Sequence, residues 1–239
     1  MFAEGIRLVQ EGVDAGAPVL AAMVSPRLRE KELGEALKKR ADEFFDVTDE
    51  VLSRASALET HQGVAVLFAQ RRWEDEDLLK GPSGGKTKKA PLVLVAAGVR
   101  DPGNLGALLR SSEAAGATGV LTLKGGADPF RDKAVRGSMG SIFRLPCVHG
   151  LDAQGVIAFA KKHGLQIVAA DGRGGVEYTA VDLKRPTLLL LGAEAQGVSP
   201  ALIEAADVHA SIPLIEPVDS LNVAVAAGVL LFEARRQRR

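Results

Sequence analysis

Cysteine and aromatic residues are scarce in this sequence, and each shortage excludes a class of protein. Cys147 is the single cysteine, so no disulfide can form within the chain, and a reducing compartment, the cytoplasm, is expected. Because there are one Trp, one Tyr and eight Phe, base stacking on aromatic side chains is not expected to be the main contact with nucleic acid. No apolar run reaches about 18 residues, so neither a transmembrane helix nor a membrane partner is expected. The sequence has no cluster of Cys and His residues, so no metal is expected either.

Net charge is also absent overall, but the two parts of the chain differ in sign. The 239 residues carry 30 basic and 30 acidic side chains. Residues 1–80 hold 11 basic and 16 acidic side chains, and the remainder holds 19 and 14. A polyanionic partner such as RNA is therefore expected to bind mainly the second part. A chain of this length allows one large or two small domains.

Residues 1–73 predict a small α/β domain, because helical and strand patterns alternate along them. Apolar residues recur three or four positions apart in the helical stretches, and short apolar runs separate these stretches. The predicted helices are 2–15, 29–40 and 49–55, and the predicted strands are 19–24, 44–47 and 63–68. No catalytic constellation is found here. His61 stands alone on a loop, where a histidine is more often incidental than catalytic.

Residues 74–90, EDEDLLKGPSGGKTKKA, predict a flexible linker, because acidic, Gly/Ser-rich and lysine-rich pieces follow one another with little apolar content. GGKT within it looks like the end of a phosphate-binding P-loop. That motif needs a glycine where this sequence has Lys80, and no apolar strand precedes it. The lysines of the linker are instead expected to contact RNA phosphates. They are Lys86, Lys88 and Lys89.

Residues 91–239 predict a second domain built on a parallel sheet. It opens with the continuous apolar run PLVLVAAGV, which is typical of a strand buried on both faces. Further strands are predicted over 119–123, 142–148, 166–170, 187–191 and 208–212, and helices over 104–115, 131–137, 152–163, 200–206 and 220–237. Such sheets bind ligands at the carboxyl ends of their strands. Three loops are therefore candidates for a site: 97–104, 192–199 and 213–220.

The first candidate loop runs into a helix that carries a polar pair. Asn104 is predicted to cap this helix, and Arg110 follows six residues later. One interpretation makes Arg110 a surface arginine paired with Glu113, three residues further along the helix. The other places its guanidinium opposite an anion at the strand's carboxyl end. The helix sequence does not choose between the two.

The other two loops bring together small and polar residues. Gly192 ends a four-leucine strand and allows close approach of a ligand to the backbone. Glu194 is the only charged residue between Arg185 and Glu204. In the third loop, Ser220 is predicted to cap the last helix, with Asn222 two residues on.

The three loops, in this order and spacing, resemble the three motifs of the SpoU (TrmH-like) RNA 2′-O-methyltransferases of the SPOUT superfamily. The matching stretches are DPGNLGALLRSSEAAG, LLGAEAQGVS and IPLIEPVDSLNVAVA. The resemblance covers residues 91–239 closely. Near the N-terminus, EGIRLVQEG is similar to the start of the L30e-like substrate-binding domain of family members that act on ribosomal RNA.

The resemblance implies a trefoil-knotted α/β fold that binds S-adenosylmethionine, an obligate homodimer, and an RNA substrate of the 23S ribosomal type. The catalytic residues that it implies are Asn104, Arg110, Glu194, Ser220 and Asn222. The methyl donor would contact Leu191, Gly192, Ile212, Leu214, Leu221 and Asn222. Besides the linker lysines, the residues expected to contact RNA are Arg131, Lys133, Arg136 and the basic tail RRQRR.

The residue types suit methyl transfer to a ribose hydroxyl. The donor is an activated sulfonium, so positioning can supply much of the rate. Arg110 is expected to stabilise developing negative charge on the hydroxyl oxygen and to hold the adjacent phosphate. It is not expected to act as the base, because a guanidinium stays protonated in proteins. The residue that removes the proton is left unassigned.

Three other functions remain alternatives to ribosomal RNA methylation. Transfer RNA is a second possible substrate, and a non-catalytic RNA-binding module is a third interpretation, which the intact polar set disfavours. A nucleotide-dependent oxidoreductase is disfavoured because Gly98, Gly103 and Gly106 lack the GxGxxG spacing.

The last helix predicts how the chain associates. Residues 221–232, LNVAVAAGVLLF, are apolar on nearly every face, and a sheet covers only one side of a helix. A second subunit is expected to cover the other side, although another helix of the same chain would also serve.

Overall fold

The computed structural model describes residues 1–82, 90–170, 174–192 and 198–239. Its elements form two units, each with its own sheet. In the N-terminal unit (residues 1–73) the elements in chain order are β1 (Phe2–Glu4), α1 (Ile6–Asp14), β2 (Val19–Val24), α2 (Pro26–Arg29), α3 (Glu32–Arg40), β3 (Ala41–Asp46), α4 (Asp49–Ala55) and β4 (Val64–Phe68). The small α/β domain predicted for this region is confirmed.

The N-terminal sheet has the strand order β1-β4-β2-β3, with only β2 and β3 parallel. Two predictions of local structure are wrong here. The helix predicted over 2–15 begins only at Ile6, because residues 2–4 pair with β4 and Gly5, at φ 90°, breaks the chain direction. The helix predicted over 29–40 is divided into α2 and α3, and Pro26 occupies the first position of α2.

The segment after β4 is partly folded. Residues Asp77–Lys80 form the short helix α5, and the Leu78 side chain is completely buried against the C-terminal unit. Residues 77–80 are therefore helical where a flexible linker was predicted, because Leu78 is buried in the core of the C-terminal unit and Leu79 packs against the same core. Residues 83–89, with the three lysines predicted to contact RNA, lie outside the described residues.

The C-terminal unit (residues 90–239) is a parallel sheet with helices on both faces, which confirms the predicted fold class. Its elements are β5 (Leu92–Ala97), α6 (Pro102–Ala115), β6 (Gly119–Leu123), α7 (Asp132–Ser138), α8 (Ser141–Arg144), β7 (Cys147–Leu151), α9 (Ala153–His163), β8 (Gln166–Ala170), β9 (Val176–Glu177), a short 3-10 helix (Tyr178–Ala180), β10 (Thr187–Gly192), α10 (Pro200–Glu204), β11 (Val208–Ser211) and α11 (Val223–Gln237). The strand predicted over 142–148 is wrong at its start. Ile142 and Phe143 belong to α8 and are buried.

Among the described residues this sheet has seven strands, in the order β7-β6-β5-β10-β8-β11-β9, and their pairings are all parallel. The central strands β5 and β10 are buried along their length. Their register sets Ala97 beside Gly192 at the carboxyl edge. Two of the three candidate loops therefore begin next to each other.

Helices α6 and α11 lie side by side on one face of this sheet and run in the same direction. Near their starts Asn222 contacts Asn104, and near their ends the Arg235 guanidinium donates to the Ala114 carbonyl. Helix α9 and α10 cover the opposite face. Within the described ranges, no helix combines the length and the apolar character needed to cross a bilayer.

Candidate functional site

The carboxyl edge of the C-terminal sheet is lined with small residues. β5 ends at Ala97, β8 at Ala170 and β10 at Gly192, and these three strands are neighbours. Small side chains at three adjacent strand ends leave the backbone accessible from above the edge. A ligand can therefore approach the main chain closely at this place.

Helix α6 begins at this edge with a cap different from the predicted one. Asp101 is the capping residue, and its carboxylate accepts a hydrogen bond from the Asn104 backbone N–H at 2.8 Å. Pro102 follows as the first helical residue, a position that proline favours because no N–H is needed there. The prediction that Asn104 caps this helix is therefore wrong, and its side chain is left available for another contact.

Helix α11 also begins at this edge, and its cap lies two residues after the predicted one. Asn222 caps it, since its Oδ1 accepts from the Ala224 N–H at 2.9 Å. Ser220, the predicted cap, instead donates to the Asp219 carboxylate at 3.1 Å and is exposed. The prediction for Ser220 as a helix cap is wrong, because Leu221 and Asn222 are still outside the helix.

The first and third motifs meet in a single hydrogen bond between side chains. Asn222 Nδ2 donates to Asn104 Oδ1 at 3.2 Å, although 118 residues separate the two in sequence. The Asn222 side chain thus caps α11 through its oxygen and donates to a residue of α6 through its nitrogen. This contact brings together two of the predicted site residues.

The structure decides between the two interpretations of Arg110. Glu113 does not pair with it: the Arg144 guanidinium donates to both Glu113 oxygens, at 2.6 and 3.0 Å. Arg110 is exposed and makes no hydrogen bond or ion pair with any part of the chain that the structure describes. Its charge is free to meet an anion from outside the chain.

The residues expected to contact the methyl donor are spread over the same edge. Leu191 is buried within β10, and Gly192 ends that strand. Ile212, Leu214 and Leu221 are half-buried in the segment that joins β11 to α11. Glu194, the predicted acidic residue of the second motif, lies outside the described residues.

Of the three cations on or beside α7 that were expected to contact RNA, two have close acidic partners. Lys133 Nζ lies 2.8 Å from the Asp101 carboxylate, and Arg136 lies 3.0 Å from Glu4 of the N-terminal unit. Arg131 also pairs with an acidic residue, Asp128, but at the longer distance of 3.5 Å, and because its side chain is 82% exposed it is the most available of the three. Hydrogen bonds from Lys133 and from the Asn104 backbone lower the pKa of Asp101, in this order of size.

The basic C-terminal tail serves the fold, which the sequence did not indicate. Arg236 pairs with Glu233 at 2.7 Å. Arg238 donates to the carbonyls of Ala90, Leu183 and Arg185 at 2.6, 2.6 and 2.8 Å. Burial lowers the pKa of Arg238 to about 10, which leaves it charged at neutral pH. The donors of Arg238 are thus taken up by backbone carbonyls, whereas Arg236 is 65% exposed, and the contact of this tail with RNA stays a prediction.

One residue of the site was missed from the sequence. Asp101 caps α6 and holds Lys133, and an Asp directly before a Pro is a helix-start signal that could have identified it. No group of three potential metal ligands occurs among residues 1–82, 90–170, 174–192 and 198–239.

Comparisons with known proteins agree with this geometry. Residues 91–232 match the SpoU rRNA Methylase family, and residues 1–66 match the MRM3-like substrate binding domain. A 23S rRNA (guanosine-2'-O-)-methyltransferase RlmB from Xylella fastidiosa is 36% identical, over 98% of this chain and 95% of that protein. A putative TrmH family tRNA/rRNA methyltransferase from Staphylococcus saprophyticus is 28% identical, over 98% of this chain and 94% of that protein.

Solved structures match over both units. The SpoU methyltransferase AviRb from Streptomyces viridochromogenes, in complex with AdoMet, superposes with a TM-score of 0.88 at 27% identity and covers 100% of this chain and 90% of its own. An AdoMet-bound rRNA methyltransferase from Sinorhizobium meliloti gives 0.86 at 32% identity, over 98% of this chain and 86% of its own.

Proposed function

Because the chain belongs to the SpoU rRNA methylase family, we propose that it transfers a methyl group from S-adenosylmethionine to a ribose 2′-hydroxyl of ribosomal RNA. The observation that carries this proposal is the Asn222–Asn104 hydrogen bond. It joins the first and third motifs at the sheet edge, and Arg110, six residues after Asn104 on α6, has no acidic partner among the described residues. The matching relatives and AdoMet-bound structures support the same reaction and donor.

The residues of the sheet edge fit S-adenosylmethionine. Three adjacent strands end in Ala97, Ala170 and Gly192, so the backbone is accessible to a large planar group. We propose that Leu191, Gly192, Ile212, Leu214, Leu221 and Asn222 hold the donor. The bound donor supplies an electrophilic methyl group on a sulfonium, and no metal is required for its transfer.

Arg110 is the residue that we propose to act on the RNA. Its guanidinium carries a permanent charge and has no partner within the described chain, so it can stabilise the developing charge on the 2′-oxygen. The same guanidinium can donate two hydrogen bonds to the neighbouring phosphate of the RNA. Asn104, Ser220, Asn222 and Glu194 are proposed to orient Arg110 and the donor. A guanidinium cannot accept the proton, and its acceptor is not assigned.

The two units divide the work in this proposal. Residues 1–73 would bind the RNA together with basic residues of the second part, in keeping with their match to a substrate binding domain, and residues 91–239 would carry out the transfer. Arg131 and the linker residues Lys86, Lys88 and Lys89 are proposed to contact phosphates. The single cysteine, Cys147, is buried and free, which fits a reducing compartment such as the cytoplasm.

We also propose a homodimer that uses the outer face of α11. Its inner face is buried, but Val225 and Phe232, two turns apart, are 53% and 49% exposed. A Cβ at Gly228, between them, would meet nothing within 4 Å. Nearby in sequence, Ile215 and Val218 are 87% and 54% exposed. Apolar exposure of this kind favours a second copy of the chain as its cover.

The knotted backbone path is a further part of the proposal. After β11 the chain passes back across β8 and β10 to place α11 beside α6. A trefoil knot also requires that this segment thread through a loop of the chain, and the family resemblance is what supports that step. A crystal structure that traces the complete backbone would test the knot.

A methyl-transfer assay tests the proposed reaction. Labelled S-adenosylmethionine is incubated with the protein and either ribosomal or transfer RNA, and RNA-bound label is counted. Ribosomal RNA should be labelled by the wild type, and Arg110→Ala should reduce the rate by about 10²–10³-fold while calorimetry shows unchanged donor affinity. Lys161→Ala, which removes one charge from α9 on the opposite sheet face, is the matched control. Labelling of transfer RNA alone would favour the tRNA alternative, and loss of donor binding by folded Arg110→Ala would refute its assigned role.

A further inference from the structure

The two units are joined by an ion pair between a buried carboxylate, Glu4, and a half-buried arginine, Arg136, whose side chain is 32% exposed. The Glu4 side chain, in the N-terminal unit, is 2% exposed, and its Oε1 lies 3.0 Å from Arg136 Nη1 on α7 of the C-terminal unit. Its Oε2 accepts hydrogen bonds from Ser56 Oγ at 2.7 Å and from the Ala57 N–H at 3.2 Å. The carboxylate is thus held at both oxygens. Removal of Arg136 would leave a buried charge without its countercharge.

A second arginine bridges the units next to this pair. Arg144 of α8 donates to Glu11 on α1 in the N-terminal unit and to Glu113 on α6 in its own unit. Burial by itself would raise the pKa of Glu113, but hydrogen bonds from Arg144 and Ser141 outweigh it, and the pKa is lowered. The pKa of Arg144 is raised, first by its hydrogen bond to Glu113.

The apolar contact between the units has a specific shape. Phe68 of β4 meets Phe143 of α8 edge to face, with ring centroids 5.0 Å apart and planes at 65°. Gly140 packs directly on Glu11: a Cβ there would lie 2.6 Å from the Glu11 Cβ. Because an edge-to-face ring pair and a glycine contact both depend on orientation, this interface selects one arrangement of the two units.

Helix α7, which carries Arg136, rests directly on the catalytic segment of α6. A Cβ at Gly106 would lie 2.6 Å from the Ala134 carbonyl oxygen and 2.7 Å from Gly137 Cα. Gly106 lies between Asn104 and Arg110, one helical turn before the arginine. Backbone contact this close leaves little freedom for α7 to move against α6.

We propose that Arg136 is a positioning residue that, through Glu4, fixes the RNA-binding unit at one orientation relative to Arg110. An RNA bound to the N-terminal unit then has its target ribose at a fixed position relative to Arg110. This inference rests on the proposed function, in which residues 1–73 bind the RNA. It also replaces the prediction that Arg136 contacts phosphate, because its charge is directed at Glu4.

Two substitutions of opposite charge distinguish positioning from phosphate contact. Arg136→Gln removes a positive charge and Glu4→Gln removes a negative charge, yet both break the same pair. Each should raise the KM for ribosomal RNA by about tenfold or more, while kcat at saturating RNA and donor affinity stay within about twofold. Arg136→Lys, which keeps the charge opposite Glu4, should recover most of the loss. If Arg136 contacted phosphate, Glu4→Gln would leave the KM unchanged or lower it, and that result would overturn the proposal.

Lys162→Gln is the control, because it also removes a cation from an ion pair. Its partners Asp75 and Glu76 each lie 3.7 Å away, and Lys162 belongs to α9, which covers the sheet face opposite to α6. It should leave the KM for RNA unchanged. A rise equal to that of Arg136→Gln would show that any lost cation weakens RNA binding, and would contradict the proposal.

Spin-label distances test the fixed orientation without RNA. Labels on Glu35→Cys in α3 and Lys161→Cys in α9, in chains diluted with unlabelled protein, report the separation of the two units. Cys147 does not interfere, since burial raises its thiol pKa to about 12. The wild type should give one narrow distance distribution, and Arg136→Gln and Glu4→Gln a broadened one. Unchanged distributions in both variants would overturn the inference, whereas absent methyl transfer by the wild type would instead refute the proposed function.

Discussion

Asn222 offers a substitution that separates the stability of α11 from the chemistry of the site. Its Oδ1 caps the helix, and its Nδ2 reaches Asn104 across the sheet edge. Asn222→Ser keeps a good capping oxygen on a side chain too short to reach Asn104. Asn222→Ala removes both contacts. The two variants therefore share one loss and differ in the other.

The expected magnitudes follow from the two contacts. Loss of a helix cap costs about 1 kcal/mol, and an exposed neutral hydrogen bond of 3.2 Å contributes about 0.5 kcal/mol. Asn222→Ala should thus lose about 1.5 kcal/mol, which lowers the Tm by about 3–6 °C in a chain of this size. Asn222→Ser should lose only about 0.5 kcal/mol and about 1–2 °C.

Activity should follow a different order from stability. Without the link, the segment that precedes α11 and the start of α6 lose their mutual register, and misplacement by about 1 Å can cost about 10²-fold in rate. Both variants should therefore be slowed to a similar extent in methyl transfer at 25 °C, where both remain folded. Scanning calorimetry and single-turnover assays on the same preparations provide the comparison. An Asn222→Ser variant as active as the wild type would refute a role for the Asn104–Asn222 bond in the site.

Three further outcomes are expected. Arg238→Ala removes a guanidinium that donates to several backbone carbonyls, so it should lower the free energy of unfolding by about 2 kcal/mol, or the Tm by about 4–8 °C. The affinity for the donor should not change. An unchanged Tm would show that water satisfies these carbonyls as well as Arg238 does. Val225→Asp combined with Phe232→Asp should yield monomers in light scattering, and a persistent dimer would place the interface elsewhere. Because the pKa of Glu113 is lowered below its ordinary value of 4.5, its contribution to stability is complete above that pH and is lost as the pH falls through the folded-state pKa. Arg144→Met should therefore reduce the acid dependence of chemical denaturation below pH 4.5, and an unchanged dependence would exclude this pair as its source.

Elements with strong local patterns could be predicted from the sequence, and those that depend on distant partners could not. The strands Val19–Val24 and Gln166–Ala170 and the helix Asp49–Ala55 have their predicted bounds. Residues 2–4 continue the apolar spacing of α1, and only pairing with β4, far along the chain, makes them a strand. Likewise the apolar run at 142–148 reads as a strand, but its first residues form a turn of helix against the N-terminal unit.

The site shows the same limit. Both helix caps lie within three residues of the predicted ones. At α6 the Asp-Pro pair is the sequence signal that would have identified the correct cap. The side-chain bond between Asn104 and Asn222 spans 118 residues, so no local pattern could reveal it, and only the family resemblance implied that these residues share a site. Arg136 was assigned to RNA from its charge alone. Its buried partner Glu4 lies in the other unit, and a pair across two units cannot be found from spacing.

The most direct test of ribose 2′-O-methylation by this protein is to identify the atom that it methylates. Ribosomal RNA that lacks the modification is incubated with the protein and S-adenosylmethionine, digested, and analysed by mass spectrometry of nucleosides and oligonucleotides. We expect a 2′-O-methylated nucleoside at a defined position of the large-subunit RNA, with no such product from Arg110→Ala. A methyl group on a base, or no methylated nucleoside from a wild-type protein that binds the donor, would contradict it.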